Sequence, residues 1–393
     1  MSPQPLARRS SIAAALMLTL TAAACTDNAA DDTGAGTGGA IAVSSTDDAC
    51  EVAATEAPSG NLVFEITNDG SQVTEFYLLG EDGLRIVGEV ENIGPGITRN
   101  LVVSATPGTY VTACKPGMTG DGIRGTFTVV EGEGSATAPA DADVAALLTT
   151  ATEQYRLYVE DQVADLVTKT QQFADLYTGG DDDGARALYA DARTHWERIE
   201  PVAESFGDLD PKLDLREADL AESQEWTGWH RIEKDLWPPA DGYTAMTDAE
   251  REAVADQLVA DTAELADRVA ALTYDPTQMG NGAKELLDEV ATGKVTGEEE
   301  IWSHTDLWDF QANVDGARIA FEDLEPALRV KDPELADTLT SRFASLQELL
   351  DRYRDGDGFV LYTELTSAQV TELAAAVDAL AEPLAELTAA VVL

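Results

Sequence analysis

The spacing of apolar positions changes period along the chain, and each change marks a boundary. Arg8 and Arg9 precede an unbroken apolar run from Ile12 to Ala24, too short to span a bilayer, so residues 1–24 read as a secretory signal. Residues 25–45 are mostly small and polar and read as a flexible tether. Over residues 46–134 the period is two. Leu62-Val63-Phe64-Glu65-Ile66-Thr67 alternates and ends in the turn signal Asn68-Asp69-Gly70, and the runs 76–79, 101–103, 110–113 and 126–130 follow with Gly or Pro between them. Short strands at that spacing predict a β-sandwich. A Gly/Ala/Pro/Asp linker covers 135–145, and from 146 to 393 the period becomes helical. Tyr155, Tyr158, Val159, Leu166, Val167, Phe173 and Tyr177 keep one face until Gly179-Gly180, Thr247 and Glu250 form a capping box, and amphipathic runs cover 282–291, 299–328, 333–354 and 367–391. The expected fold is multi-domain α and β: a β-sandwich followed by an all-α bundle of long helices, with ligand sites between facing helices.

Charge narrows the functional classes. Lys and Arg number 25 against 73 Asp and Glu, a formal charge of -48, which repels nucleic acid and anionic lipid headgroups. A hydrophobic fraction of 44% is ordinary for a folded chain. The signal ends in Thr21-Ala22-Ala23-Ala24-Cys25, similar to a bacterial lipobox, although Ala22 stands where leucine is usual. Lipidation of Cys25 would anchor an exported protein to the outer face of the cytoplasmic membrane.

Cys50 and Cys114 are the other cysteines. In an exported protein a disulfide between them is the plain expectation. The alternative is a metal site in which they join Glu75, Glu89 and Glu91. The segment Pro107 to Met118 resembles the end of a cupredoxin, with Cys114 and Met118 about where a blue-copper site has them. Gly117 sits near the histidine position and the domain has no histidine, so type 1 copper is excluded.

The helical part carries all three histidines. His230 and Glu233 are three apart, which on a helix sets imidazole beside carboxylate on one face, a donor pair suited to a borderline divalent metal. Glu197 and Glu200 repeat the spacing in His195-Trp196-Glu197-Arg198-Ile199-Glu200-Pro201. Asp214 closes an acidic loop before the His230 helix, and Glu298 and Glu299 open Glu298-Glu299-Glu300-Ile301-Trp302-Ser303-His304. Taken singly, each is as well explained by a satisfied core histidine, a solvated face or a helix start. Five of the six tryptophans lie among these segments, as a dry, shaped site would need. Asp355-Gly356-Asp357-Gly358 with Glu364 nearly fits a calcium loop, but Tyr353 stands at its first ligand position, so a tight turn is expected there.

Three segments carry a family resemblance: His195 to Pro201, Gly228-Trp229-His230-Arg231-Ile232-Glu233-Lys234, and Ser303 to Gly316. Through them residues 146–393 resemble an imelysin-type peptidase domain, and the pairing with a cupredoxin-like domain is similar to the EfeO family of exported iron-binding proteins. The resemblance implies capture of ferrous or ferric iron, with copper or zinc as competitors, and delivery to a membrane iron permease beside a haem-dependent peroxidase. It also implies His230 and Glu233 as the metal pair, with Glu197, Glu200 and Asp214 nearby. Affinity is then expected to fall as pH drops through the imidazole range, roughly 6 to 7. Two other functions stay open. A zinc peptidase needs a base beside the first histidine and a second histidine, where this chain has Arg231 and Lys234. A polysaccharide-binding or adhesion module would need exposed tryptophans.

Overall fold

The computed structural model describes residues 39–393 apart from 82, 84, 85, 121, 132–141, 222 and 223. The signal segment, Cys25, most of the tether and most of the linker lie outside the described residues. Nine strands come first: β1 Ile41–Ser45, β2 Cys50–Val52, β3 Glu56–Pro58, β4 Gly60–Asn68, β5 Thr74–Leu79, β6 Ile86–Ile93, β7 Thr98–Ala105, β8 Gly108–Cys114 and β9 Ile123–Val130. They form two sheets, ordered β2-β1-β4-β7 and β3-β9-β8-β5-β6. Strand β1 takes in the last five residues assigned to the tether. Its alternation buries Val43 and lays it parallel to β4, with Val43 opposite Ile66. Phe64 packs 5.3 Å from Phe76 and 5.4 Å from Phe127 in the core of the sandwich. Cys50 and Cys114 form a disulfide joining β2 to β8 of the other sheet. Closing a loop of 64 residues restricts the unfolded chain by about 4 kcal/mol in the chain-entropy account.

The helices are α1 Ala142–Thr178, α2 Asp182–Glu197, α3 Asp210–Asp214, α4 Trp229–Leu236, α5 Asp248–Val269, α6 Pro276–Thr292, α7 Asp306–Lys331, α8 Pro333–Leu350, α9 Ser367–Leu384 and α10 Leu387–Val392. The capping box of Thr247 and Glu250 opens α5 as expected. The calcium-like stretch is a tight β-turn between two short strands, Arg354–Asp355 and Gly358–Phe359. One helix breaks where the pre-proline position Glu200 leads one to expect it, and one expected helix is interrupted. Pro201 ends α2, and an irregular 3-10 stretch, Glu200–Leu209, follows. The run expected from 299 becomes helical only at Asp306, because residues 299–305 turn back and His304 takes a φ of 62°. Asn281 Nδ2 donates to Val102 O at 2.8 Å and Asn61 Nδ2 to Val392 O at 3.2 Å, tying the sandwich to the helices.

Candidate metal centre

Helix α4 is short, and its place is set by Gly228. A Cβ there would lie 2.1 Å from Leu213 O, and φ is +84°, so only glycine lets α4 start against the end of α3. That approach brings His230 to Asp214. The turn before α7 closes over the same point and adds Glu299 and Glu300. His230 is 1% exposed and Glu233 is fully buried. His230 Nδ1 lies 3.2 Å from Glu233 Oε2. Glu233 Oε1 accepts the backbone N–H groups of Trp302 and Ser303 at 3.0 and 2.7 Å. Nε2 of His230 faces Asp214 Oδ1 and Glu299 Oε1, both at 3.5 Å, with no hydrogen-bond partner and no solvent. Trp196 Nε1 donates to the other Asp214 oxygen at 2.9 Å and fixes that carboxylate.

Behind these groups lies Arg193, fully buried, with ion pairs to Glu197, Asp214 and Glu300 and with Glu299 and Asp309 at 3.6 Å. Lys294, also buried, contacts Glu197 at 2.9 Å and Glu200 at 2.7 Å. Asn313 Nδ2 donates to the same two carboxylates at 2.9 and 2.7 Å. Six carboxyl groups therefore share two buried cations. Arg216 touches Glu299 from the rim at 3.5 Å. Burial and the Arg193 charge disfavour a proton on His230, but its hydrogen bond to Glu233 and the nearby carboxylates of Glu299 and Asp214 outweigh them and push its pKa up to about 10. Burial opposes ionisation of the three carboxyls around the ring. Lys294 and His230 nevertheless hold Glu299 below the usual range, Arg193 and His230 do so for Asp214, and His230 does so for Glu233. Glu300 and Asp309 are pushed well up, both by burial first, Glu300 also by the charge of Glu233.

Glu233, Asp214 and Glu299 thus gather at His230. Glu298, one residue from Glu299, is exposed. Glu197 and Glu200 do not face His230 with the spacing of a ligand set among the described residues. They serve Lys294 and Asn313. The pair Cys50 and Cys114 is a disulfide, so neither sulfur is a thiolate ligand. Glu75 and Glu91 accept from the Tyr77 hydroxyl at 2.9 and 3.2 Å, whereas Glu89 turns toward the helices. His195 Nδ1 lies 2.9 Å from Gln162 Oε1 in the α1–α2 interface, and burial lowers its pKa to about 4. Neither it nor His304 joins a ligand cluster among the described residues. Trp229 packs in the core 5.1 Å from Phe173, while half-buried Trp226 and Trp302 meet at 5.8 Å beside Lys234. Arg193 and Lys294 carried no signal in the sequence, while Glu300 and Asp309 lay in the segments singled out without being picked as site residues. The one available hint was that an acidic cluster of this size must hide its counter-charges.

The centre borders a cavity of about 500 Å³ between sandwich and helices. Ten acidic residues line it, Asp214 and Glu299 among them, against Lys115 and Arg216. A buried imidazole nitrogen flanked by two ionised carboxylates at the end of an acidic cavity is an arrangement that could hold a cation. Residues 151–387 match the imelysin family, peptidase M75. The "Iron uptake system component EfeO" of Yersinia pseudotuberculosis is 39% identical over 383 residues, covering 97% of this chain and 96% of that protein. The chain belongs to the EfeO family. The protein of the same name from Escherichia coli K12 is 38% identical over 350 residues, 88% of this chain and 90% of its own length. In EfeO terms, the imelysin match spans α1 to α10, the part that holds His230.

Proposed function

We propose that this chain captures iron for uptake, binding it as cargo at His230 Nε2 together with Asp214 and Glu299. The carrying observation is that Nε2, sealed from solvent and unpartnered, faces both carboxylates at 3.5 Å at the end of an acidic cavity. Glu233 orients the ring: its carboxylate holds Nδ1, as carboxylates behind metal-bound histidines do, and is itself fixed by two backbone N–H groups. Oxygen donors with one imidazole suit iron, and they leave copper and zinc as competitors. In this reading the chain is exported, carries a lipid on Cys25, and passes iron to a membrane permease in a system with a haem-dependent peroxidase. The sandwich is read as a cupredoxin-like module without copper ligands. Among the described residues no helix is long and apolar enough to cross a membrane.

Catalysis is not part of the proposal. Arg231 and Lys234 flank the pair where a zinc peptidase has its base and second histidine, and His195 and His304 do not replace them. The test is anaerobic ferrous titration calorimetry of the mature chain. His230→Ala and Glu299→Gln should each weaken binding at least about tenfold, or ~1.4 kcal/mol. Circular dichroism should show both folded. Parent-like affinity in both folded variants would move the site elsewhere.

A further inference from the structure

Glu89 of β6, Glu204 of the 3-10 stretch and Glu285 of α6 meet across the boundary between sandwich and helices. One carboxylate oxygen from each lies within 4.8 Å of the others. A hard cation with metal–oxygen distances of about 2.0–2.6 Å bridges oxygens roughly 4–5 Å apart. Crowded acids alone would not make a site. Here, however, Glu89 Oε2 is sealed from solvent and has no hydrogen-bond donor facing it. Among the described residues no lysine or arginine forms an ion pair with any of the three: nearby Lys284 is paired to Asp288, and Lys115 lies 3.8 Å from Glu75. All three carboxylates line the cavity that also reaches Asp214 and Glu299.

We infer that Glu89, Glu204 and Glu285 form a second cation site, specific for a hard divalent ion, built jointly by the two parts of the molecule. The site stands independently of the His230 centre, but its role as a stage through which iron reaches His230 rests on the proposed function. A three-carboxylate site without imidazole holds an ion more loosely than a nitrogen-containing one, as a stage on a route requires. It also gives the sandwich, which has no histidine, a share in metal handling through Glu89.

Mn2+ is the probe, with free ion followed by its paramagnetic resonance signal. The full mature chain should bind about two equivalents, and Glu89→Gln with Glu285→Gln about one, because each isosteric change removes one carboxyl that can exchange its proton for the ion. His230→Ala should also leave about one. Two equivalents retained in the Glu89→Gln, Glu285→Gln protein would overturn the inference, as would a parent that binds one ion and loses it in His230→Ala. Two equivalents retained in His230→Ala but one in the double variant would refute the His230 reading and support this site. Should the double variant not fold, Mn2+-soaked crystals of the parent decide: anomalous density between Glu89, Glu204 and Glu285 supports the site, and its absence at saturating Mn2+ refutes it.

Discussion

Protonation of His230 is the largest structural lever on binding. Its pKa stands at about 10, against 6.5 for an ordinary histidine. The sign follows directly. A raised pKa means that the pocket prefers the imidazolium, so a cation bound at Nε2 as proposed must expel a proton at every pH below about 10. At pH 7 the gap is three units, so about one imidazole in a thousand is neutral, and freeing it costs about 4 kcal/mol. Asp214, Glu233 and Glu299 are held below their usual range, so they stay ionised at neutral pH and add no proton of their own. The window of roughly 6 to 7 expected from an unperturbed imidazole therefore moves upward.

Between pH 6 and 8 the affinity for ferrous iron should rise about a hundredfold, tenfold per unit, where an unperturbed histidine would give only about fourfold. Calorimetry in buffers of different ionisation enthalpy measures the proton released. About one per ion is expected, and more if Glu300, whose proton is also held tightly, turns to the metal. His230→Ala should flatten the slope. An affinity that levels off above pH 7 with almost no proton release would refute both the raised pKa and the placing of Nε2 on the metal.

Two further outcomes follow from the same geometry. Glu300→Gln should lower iron affinity about tenfold by removing, 3.9 Å from His230, a carboxyl that can give up its proton to an arriving ion, whereas exposed Glu298→Gln should leave it within about twofold; equal effects in titration would mean that the turn is misplaced. Arg193→Met strands Glu197, Asp214 and Glu300 around an apolar chain and should cost the metal-free protein about 3–5 kcal/mol, with a larger stabilisation by added iron than in the parent. Urea unfolding measures both, and a loss below about 1 kcal/mol would show that the centre tolerates its charge without Arg193.

Sequence periodicity carried the helices and strands well because burial imposes it. Tyr155, Val159, Leu166, Phe173 and Tyr177 read as one face, and all are buried in the core. The spacing of His230 and Glu233 was legible for the same reason, since a helix turns predictably. What failed was whatever depends on non-local approach. Glu197 and Glu200 repeat the spacing of the His230 pair, yet Pro201 breaks the helix and the two residues serve Lys294. Glu298 and Glu300 are indistinguishable as letters. Backbone N–H groups of Trp302 and Ser303, bound to Glu233, set the turn that exposes one and buries the other.

Arg193 and Lys294 show why the centre was harder to read than its histidine. A lysine or arginine on an acidic chain looks like a surface charge, and its burial becomes evident only when several carboxylates converge on it. Their presence also explains how an empty anionic pocket can fold. Two fixed cations offset part of the repulsion, protons on groups such as Glu300 and Asp309 offset more, and His230 holds one further proton. In the proposed function an incoming ion replaces a proton at Nε2 and needs no rebuilding of the shell, because Asp214 and Glu299 stand ionised on either side. On that proposal the pocket is kept folded by charges it never releases and exchanges one proton for cargo, which ties cargo affinity to pH more tightly than to any single carboxylate.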